Sequence, residues 1–372
     1  MLTRGAIVRE APGEYEVVDL ELDDPQPDEV QVKVVASGLC HSDDHIATGD
    51  IPVGTYPFAG GHEGAGVVTK AHPNRKGIKE GDHVVFLAVP VCGHCRFCAS
   101  GRQALCDLGA GILAGPRWTD GTYRLKTADG TPVGQMCGIS TFVSTTTVSL
   151  DSVVKIDDDI PLDKACLVGC GVGTGWGSAV NAAAVQPGDT VIVMGAGGIG
   201  VNALQGAAHA GATTIIAVDP VPFKRENAPT FGATHAVETM DEAAELARQF
   251  TNGQGADSAI LTVGVLTAEH VGQGLAAIRK DGTCVVTAMA PLAEVGAQVA
   301  LGDLALSQKR LQGTLFGHSN PTWDIRRQLQ LYRDGALKLD ELVTRTYTLD
   351  EVTQGYRDMH EGKNIRGVIR HD

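Results

Sequence analysis

Positive charge is scarce in this chain. It carries 30 Lys and Arg against 44 Asp and Glu, a formal charge of -14 at pH 7. Nucleic acid and anionic membranes both need a basic surface, so neither is an expected partner. A long apolar run is also missing. Met1 to Val18 holds Arg4, Arg9, Glu10, Glu14 and Glu16, so no secretory signal is expected there. The most apolar region, Val191 to Val218, is broken by glycines and His209. It suits a buried strand–helix–strand better than a membrane span. There are no internal repeats and no low-complexity segment. The nine cysteines do not make an even set. An odd count without a signal argues for a reducing, cytoplasmic setting and for metal rather than disulfides.

At 372 residues the chain exceeds what one core usually fills, so two domains are expected. Hydrophobic content of 43% with 20% charge describes an ordinary soluble protein, and 47 glycines suit an α/β fold with many tight turns. The first half reads as short strands: Gly5–Val8, Tyr15–Leu20, Val30–Ala36, Gly64–Lys70 and His83–Val89. Asp120-Gly121 and Asp129-Gly130 are hairpin signals, and nothing in this half alternates strands with full helices. After Cys170 the pattern changes. Strands at Thr190–Met194, Thr214–Val218, Ser258–Val263 and Thr283–Thr287 alternate with helices at Gly198–Ala210, Asp241–Phe250 and His270–Ile278. That alternation predicts a doubly wound parallel sheet. Helices over Ile325–Asp334 and Leu349–Glu361 and a strand over Arg366–Arg370 close the chain.

Two motifs carry chemistry on their own. Cys92, Cys95, Cys98 and Cys106 are dense enough to close one tetrahedral structural zinc with protein ligands alone. A redox pair would need only two of them, and the acidic charge disfavours a nucleic-acid ribbon. Gly195-Ala196-Gly197-Gly198-Ile199-Gly200 follows a Val-rich strand and opens a helix, and Asp219 ends the next strand. In that context Gly195, Gly197, Gly198 and Gly200 let backbone approach a pyrophosphate at the helix N-terminus. Asp219 would bind the adenosine ribose hydroxyls and repel a 2′-phosphate, which favours NAD over NADP.

Cys40, His62 and Cys170 are of ligand types that suit zinc, with one position left open for chemistry. Taken singly, each has a bland reading. Either cysteine could be a small core residue, and His62 a buried hydrogen-bonded histidine.

Their company decides more. Cys40-x-Ser42-Asp43-x-His45, Gly61-His62-Glu63-Gly64-x-Gly66, the four-cysteine loop, Cys170-Gly171-x-x-Thr174-Gly175-x-Gly177 and the glycine turn stand in one order along the chain. In that order the chain resembles the zinc-dependent medium-chain alcohol dehydrogenases over essentially its whole length. Gly169-Cys170-Gly171, Val218-Asp219-Pro220, Gly313–Gly317 and Gly362–Gly367 are similar to the nicotinoprotein group linked to mycofactocin, which uses nitrosoaniline (NDMA) as acceptor. Gly138–Phe142 and His41 also resemble the glutathione-dependent formaldehyde dehydrogenase class.

The resemblance implies a β-rich GroES-like catalytic domain from residues 1–171 and 315–372, and a Rossmann NAD-binding domain from 172–314. It implies two zinc ions per chain, the catalytic one on Cys40, His62 and Cys170. It gives Ser42 the first proton, His45 the solvent end of a relay, and Asp43 the task of orienting His62. Glu63 would approach the metal in ligand exchange. His41, Lys224 and Arg366 would contact cofactor phosphates or ribose, and Thr174 would lie against the nicotinamide. The expected activity is oxidation of an alcohol to an aldehyde or ketone with NAD(H) kept tightly bound, recycled by an external redox acceptor. The alternatives are S-(hydroxymethyl)glutathione oxidation with free NAD and a non-catalytic NAD- and zinc-binding protein. A homodimer is expected from the same resemblance.

Overall fold

The computed structural model describes residues 1–291 and 295–371. It falls into two compact units. Unit 1 comprises Met1–Cys170, Asn320–Arg333 and Leu339–Asp372; unit 2 comprises Gly171–Ser319 and Asp334–Lys338. The units meet along the chain at 170/171 and 319/320, and 334–338 belong to unit 2, where the sequence reading has 172–314 as one domain and 1–171 with 315–372 as the other.

The β-branched runs of unit 1 become β1 (Leu2–Val8), β2 (Glu16–Leu22) and β3 (Glu29–Gly38), followed by helix α1 (His41–Thr48). Then come β4 (Phe58–Ala59), β5 (Glu63–Ala71), β6 (His83–Phe86), β7 (Leu125–Thr127), β8 (Pro132–Gln135), β9 (Thr145–Ser149) and β10 (Val153–Lys155). Strands β1, β2, β7, β8 and β4 close into a barrel. Ile7, Leu20, Leu22, Leu125 and Val133 pack together in its core. Asp129-Gly130 makes the expected hairpin, joining antiparallel β7 and β8. Asp120-Gly121 does not. Two backbone bonds between Arg117 and residues 121 and 122 close it as a loop instead.

Helix α1 is an element that the strand-by-strand reading of this half leaves out. Cys40 is extended (φ -129°, ψ 146°) and Gly49 at φ 89° ends the helix in the left-handed region. Its buried side chains include Asp43, Asp44 and His45. A helix that buries charged groups shows no apolar periodicity, so hydrophobic patterning cannot reveal it.

Unit 2 follows with β11 (Thr190–Met194), β12 (Thr214–Val218), β13 (His235–Val237), β14 (Ala256–Leu261), β15 (Ile278–Val286) and β16 (Arg310–Gly313). They form a six-stranded sheet in the order β13-β12-β11-β14-β15-β16. Every pairing is parallel. This is the doubly wound Rossmann order, and β11 and β12 are buried along their whole length, as a sheet covered on both faces requires. Helices run over Gly200–His209, Met240–Phe250 and Ala268–Ala277. Thr239 with Glu242, and Thr267 with His270, form capping boxes that place two of the starts.

A helix over Gly171–Gly177 was not anticipated, because glycine disfavours helix interiors. Packing overrides propensity here. A Cβ on Gly175 would lie 2.8 Å from Asn202 Cβ, and one on Gly177 would lie 3.0 Å from Gly317 Cα and closer still to its carbonyl oxygen. Only glycine permits so close an approach.

The chain returns to unit 1 through a helix over Pro321–Arg333, β17 (Val343–Tyr347), a helix over Val352–His360 and β18 (Arg366–Arg370). Strand β18 pairs with the end of β3, Val368 opposite Gly38. The last strand thereby lies beside the segment that enters Cys40. Among the described residues no helix is long and apolar enough to cross a membrane.

Candidate active site

Cys40, His62, Glu63 and Cys170 are all buried, and one ligand atom from each lies within 4.8 Å of the others. Three local devices assemble them. Cys40 precedes the first turn of α1, where the helix dipole favours a thiolate. Gly61, at φ 89°, turns the chain into His62, and a Cβ there would meet Phe142 and Thr141. An L side chain at that position would cost on the order of 1–3 kcal/mol. Cys170 sits between the short helix Cys166–Gly169 and the glycine-rich helix, at φ -145° and ψ -78°.

Asp43, fully buried, ties two of these devices together. Its Oδ1 accepts the Gly61 N–H at 2.7 Å and its Oδ2 pairs with His62 Nδ1 at 2.9 Å. That pairing leaves Nε2 as the histidine nitrogen for a metal. The sulfurs show what the site requires. The Cys40 thiol is held well below its ordinary value, first by a hydrogen bond from Cys170, while Cys170 is pushed well above. Two buried thiolates conflict unless a cation lies between them, and two thiolates with one neutral imidazole are a zinc donor set.

Glu63 belongs to the same cluster. Burial pushes its carboxyl up to about 7, and Arg366 opposes that shift. Arg366 is itself buried and paired to Glu63, and its Nη2 also donates to the Leu39 carbonyl at 3.1 Å. The expected phosphate contact is therefore a residue that also braces the metal cluster from β18.

Ser42 Oγ lies 3.8 Å from Cys40 Sγ. His45 is 6% exposed, with Nε2 buried and unpartnered and Nδ1 3.1 Å from Asp50 Oδ2. Asp50 is half-exposed, so His45 connects the interior to the surface. Sequence reading missed Asp50; the Gly49 helix stop before it was the available signal. The His41 ring stands 6.3 Å from that of His45 and 6.4 Å from that of His360, and burial lowers its pKa. Asp44 accepts from His360 at 2.7 Å, a structural pairing across the chain ends.

In unit 2 the glycine turn follows β11, with Gly195 at φ 95°. A Cβ on Gly200 would lie 2.9 Å from Thr262 Oγ1, so that glycine serves packing. Gly197 is different. A Cβ there would meet only Lys224 Nζ, at 3.9 Å. The protein itself leaves that side open, as a turn that approaches a pyrophosphate requires. Asp219 accepts the Ala196 and Val221 N–H groups at 2.8 and 2.9 Å, and Lys224 Nζ lies 4.0 Å away. Gly198 lies within the same turn, and Thr174 is buried on the Gly171–Gly177 helix.

The four remaining ligand-type cysteines converge as well. Cys92, Cys95, Cys98 and Cys106 bring their sulfurs within 4.8 Å, and all are free thiols. Backbone N–H groups of Cys92, Cys95 and Cys98 donate to Cys106, Cys92 and Cys95 sulfurs at 3.4, 3.3 and 3.4 Å. Such donors favour thiolate, and for Cys95 they bring the pKa down to about 6. The arrangement fits a closed tetrahedral zinc.

Two domain families match this chain: the alcohol dehydrogenase GroES-like domain over residues 26–158 and the zinc-binding dehydrogenase domain over 198–331. It is 50% identical to the NDMA-dependent alcohol dehydrogenase of Amycolatopsis methanolica, covering 100% of this chain and 99% of that one. It is 35% identical to the S-(hydroxymethyl)glutathione dehydrogenase of Paracoccus denitrificans, covering 99% and 100%. The crystal structure of benzyl alcohol dehydrogenase from Acinetobacter calcoaceticus superposes with a TM-score of 0.92 at 31% identity, over all of both chains. The chain belongs to the zinc-type medium-chain alcohol dehydrogenases.

Proposed function

We propose that this enzyme oxidises a small alcohol to its aldehyde or ketone, with NAD(H) retained between turnovers and re-oxidised by an external acceptor. The observation that carries the chemistry is the buried Cys40–His62–Cys170 triplet with Asp43 fixing the histidine. Retention rests on the 50% identity to an NDMA-dependent enzyme. When bound, zinc supplies a Lewis acid that lowers an alcohol's pKa, and NAD supplies the hydride acceptor. Cys40, His62 and Cys170 hold the metal, with Glu63 beside them for ligand exchange. Ser42 receives the hydroxyl proton, and His45 delivers it to solvent at Asp50. Gly197 and Gly198 bring backbone to the pyrophosphate, with Gly195 making the turn and Gly200 the packing beneath it; Asp219 binds the ribose, and His41, Lys224, Arg366 and Thr174 are the further cofactor contacts of this reading. Cys92, Cys95, Cys98 and Cys106 hold a second, structural zinc.

Unit 1 serves as the catalytic domain and unit 2 as the NAD domain in this reading. A homodimer belongs to this reading and is supported by the edge strand β16, near which Leu301, Leu306, Leu311 and Leu315 are exposed.

Oxidation of S-(hydroxymethyl)glutathione is the second reading, favoured by the 35% relative. It needs a basic group free to bind the peptide's carboxylates. Arg117, the basic residue of the Asp120-Gly121 loop considered for that role, is spent: Asp28, Glu29 and Asp120 lie at 2.5, 2.9 and 3.1 Å from its guanidinium. The test is turnover of a simple alcohol with nitrosoaniline and no added NAD. Activity is expected. Activity only with S-hydroxymethylglutathione and free NAD would replace this reading with the second.

A further inference from the structure

We propose that Tyr15 and Tyr356 are positioning residues that set the metal-ligand shell by gripping the backbone of α1. The inference rests on the functional reading above. Tyr356 Oη donates to the Cys40 carbonyl at 3.4 Å, and Tyr15 Oη donates to the Asp43 carbonyl at 2.9 Å. Tyr56 Oη donates to the Ile46 carbonyl at 3.2 Å. Three of the six tyrosines thus grip carbonyls 40, 43 and 46, spaced three residues apart along one flank of the helix.

The two nearest the site come from distant parts of the chain, yet their rings stack at 5.7 Å and 20°. Phe142 packs edge-on against Tyr15 at 5.6 Å. Tyr15 is 8% exposed, Tyr356 5% and Phe142 0%, inside an apolar cluster with Leu39 and Val352. Burying a hydroxyl in such a cluster is unfavourable unless it bonds, and phenylalanine fills the same space without that cost. The helix does not need these donors to satisfy its own backbone, since the Cys40 carbonyl already accepts the Asp43 N–H at 3.2 Å. What the hydroxyls add is location. They fix the two residues that supply a metal sulfur and the carboxylate orienting His62.

The test compares Tyr15→Phe, Tyr356→Phe and the double variant with Tyr347→Phe, whose hydroxyl donates to Asp358 at 2.8 Å rather than to α1. Metal release to a chelator and the absorption bands of the cobalt-exchanged protein are recorded for each. The release phase belonging to Cys40 is the one missing in Cys40→Ser. Each single variant should speed that phase several-fold and the double about tenfold, the usual range for groups behind a metal ligand, with shifted cobalt bands. Tyr56→Phe should do less. Tyr347→Phe should lower Tm and leave the phase unchanged. Tyr15 and Tyr356 variants that release metal at the wild-type rate with unshifted bands would overturn the proposal, whatever their Tm. Should the double variant fail to fold, the single variants decide. A wild-type protein without that release phase would instead refute the functional reading.

Discussion

The two cysteine clusters are the same kind of chemistry built in opposite ways. Cys92, Cys95, Cys98 and Cys106 lie within one loop, two of them half-buried, with backbone N–H groups donating to their sulfurs. Cys40, His62 and Cys170 come from three separate parts of unit 1 and are wholly buried, ordered by Asp43, Arg366 and two tyrosines. A local loop can close four ligands around a metal unaided. A site with an open position needs the rest of the fold to hold it.

The largest effect should separate the two directly. Cys40→Ser should abolish turnover and remove about one metal ion per chain while the fold survives. Cys98→Ser should also lose one ion, but its main cost is stability. Structural zinc contributes on the order of 10 kcal/mol in metal-folded peptides, so a large drop in Tm is expected. Equal behaviour of the two variants would erase the distinction.

Asp43→Asn comes next. It keeps the shape but removes the charge that fixes His62, and metal affinity at the Cys40 site should fall about 10- to 100-fold, read by chelator competition. The four-cysteine site should be unaffected. Asp219→Asn, in the other unit, should weaken NAD(H) retention by about tenfold, measured as cofactor remaining after gel filtration, with metal content unchanged.

The smallest effect is a pH dependence remote from both clusters. Partial burial works to raise the pKa of Asp120, but hydrogen bonds from Thr122 and Arg124 hold it well below the usual carboxylate range. A carboxylate depressed in the folded state stabilises above its unfolded pKa and loses that contribution as pH falls through the folded value. Wild type should therefore melt above Asp120→Asn at pH 7, and the gap should close as pH drops below about 4. A gap that persists or widens in acid would contradict this.

The same contrast explains what the sequence made legible. The four-cysteine loop and the glycine turn are local motifs, Asp219 stands one strand–helix–strand unit after that turn, and the strand–helix alternation after Cys170 is periodic. Helix α1 was hidden because it buries Asp43, Asp44 and His45 rather than an apolar stripe. The Gly171–Gly177 helix was hidden because packing, not propensity, makes it. Tyr15 and Tyr356 carry no motif, and only the fold brings residues 341 positions apart into a stack. The pairing of Arg366 with Glu63 depends in the same way on β18 lying against β3.

One measurement bears on the whole account: metal and NAD(H) counted together on protein purified without added cofactor and then denatured. About two zinc ions and close to one NAD(H) per chain are predicted. A single zinc lost only on mutation of the four-cysteine loop, with no cofactor released, would contradict both the open metal site and the retained nucleotide.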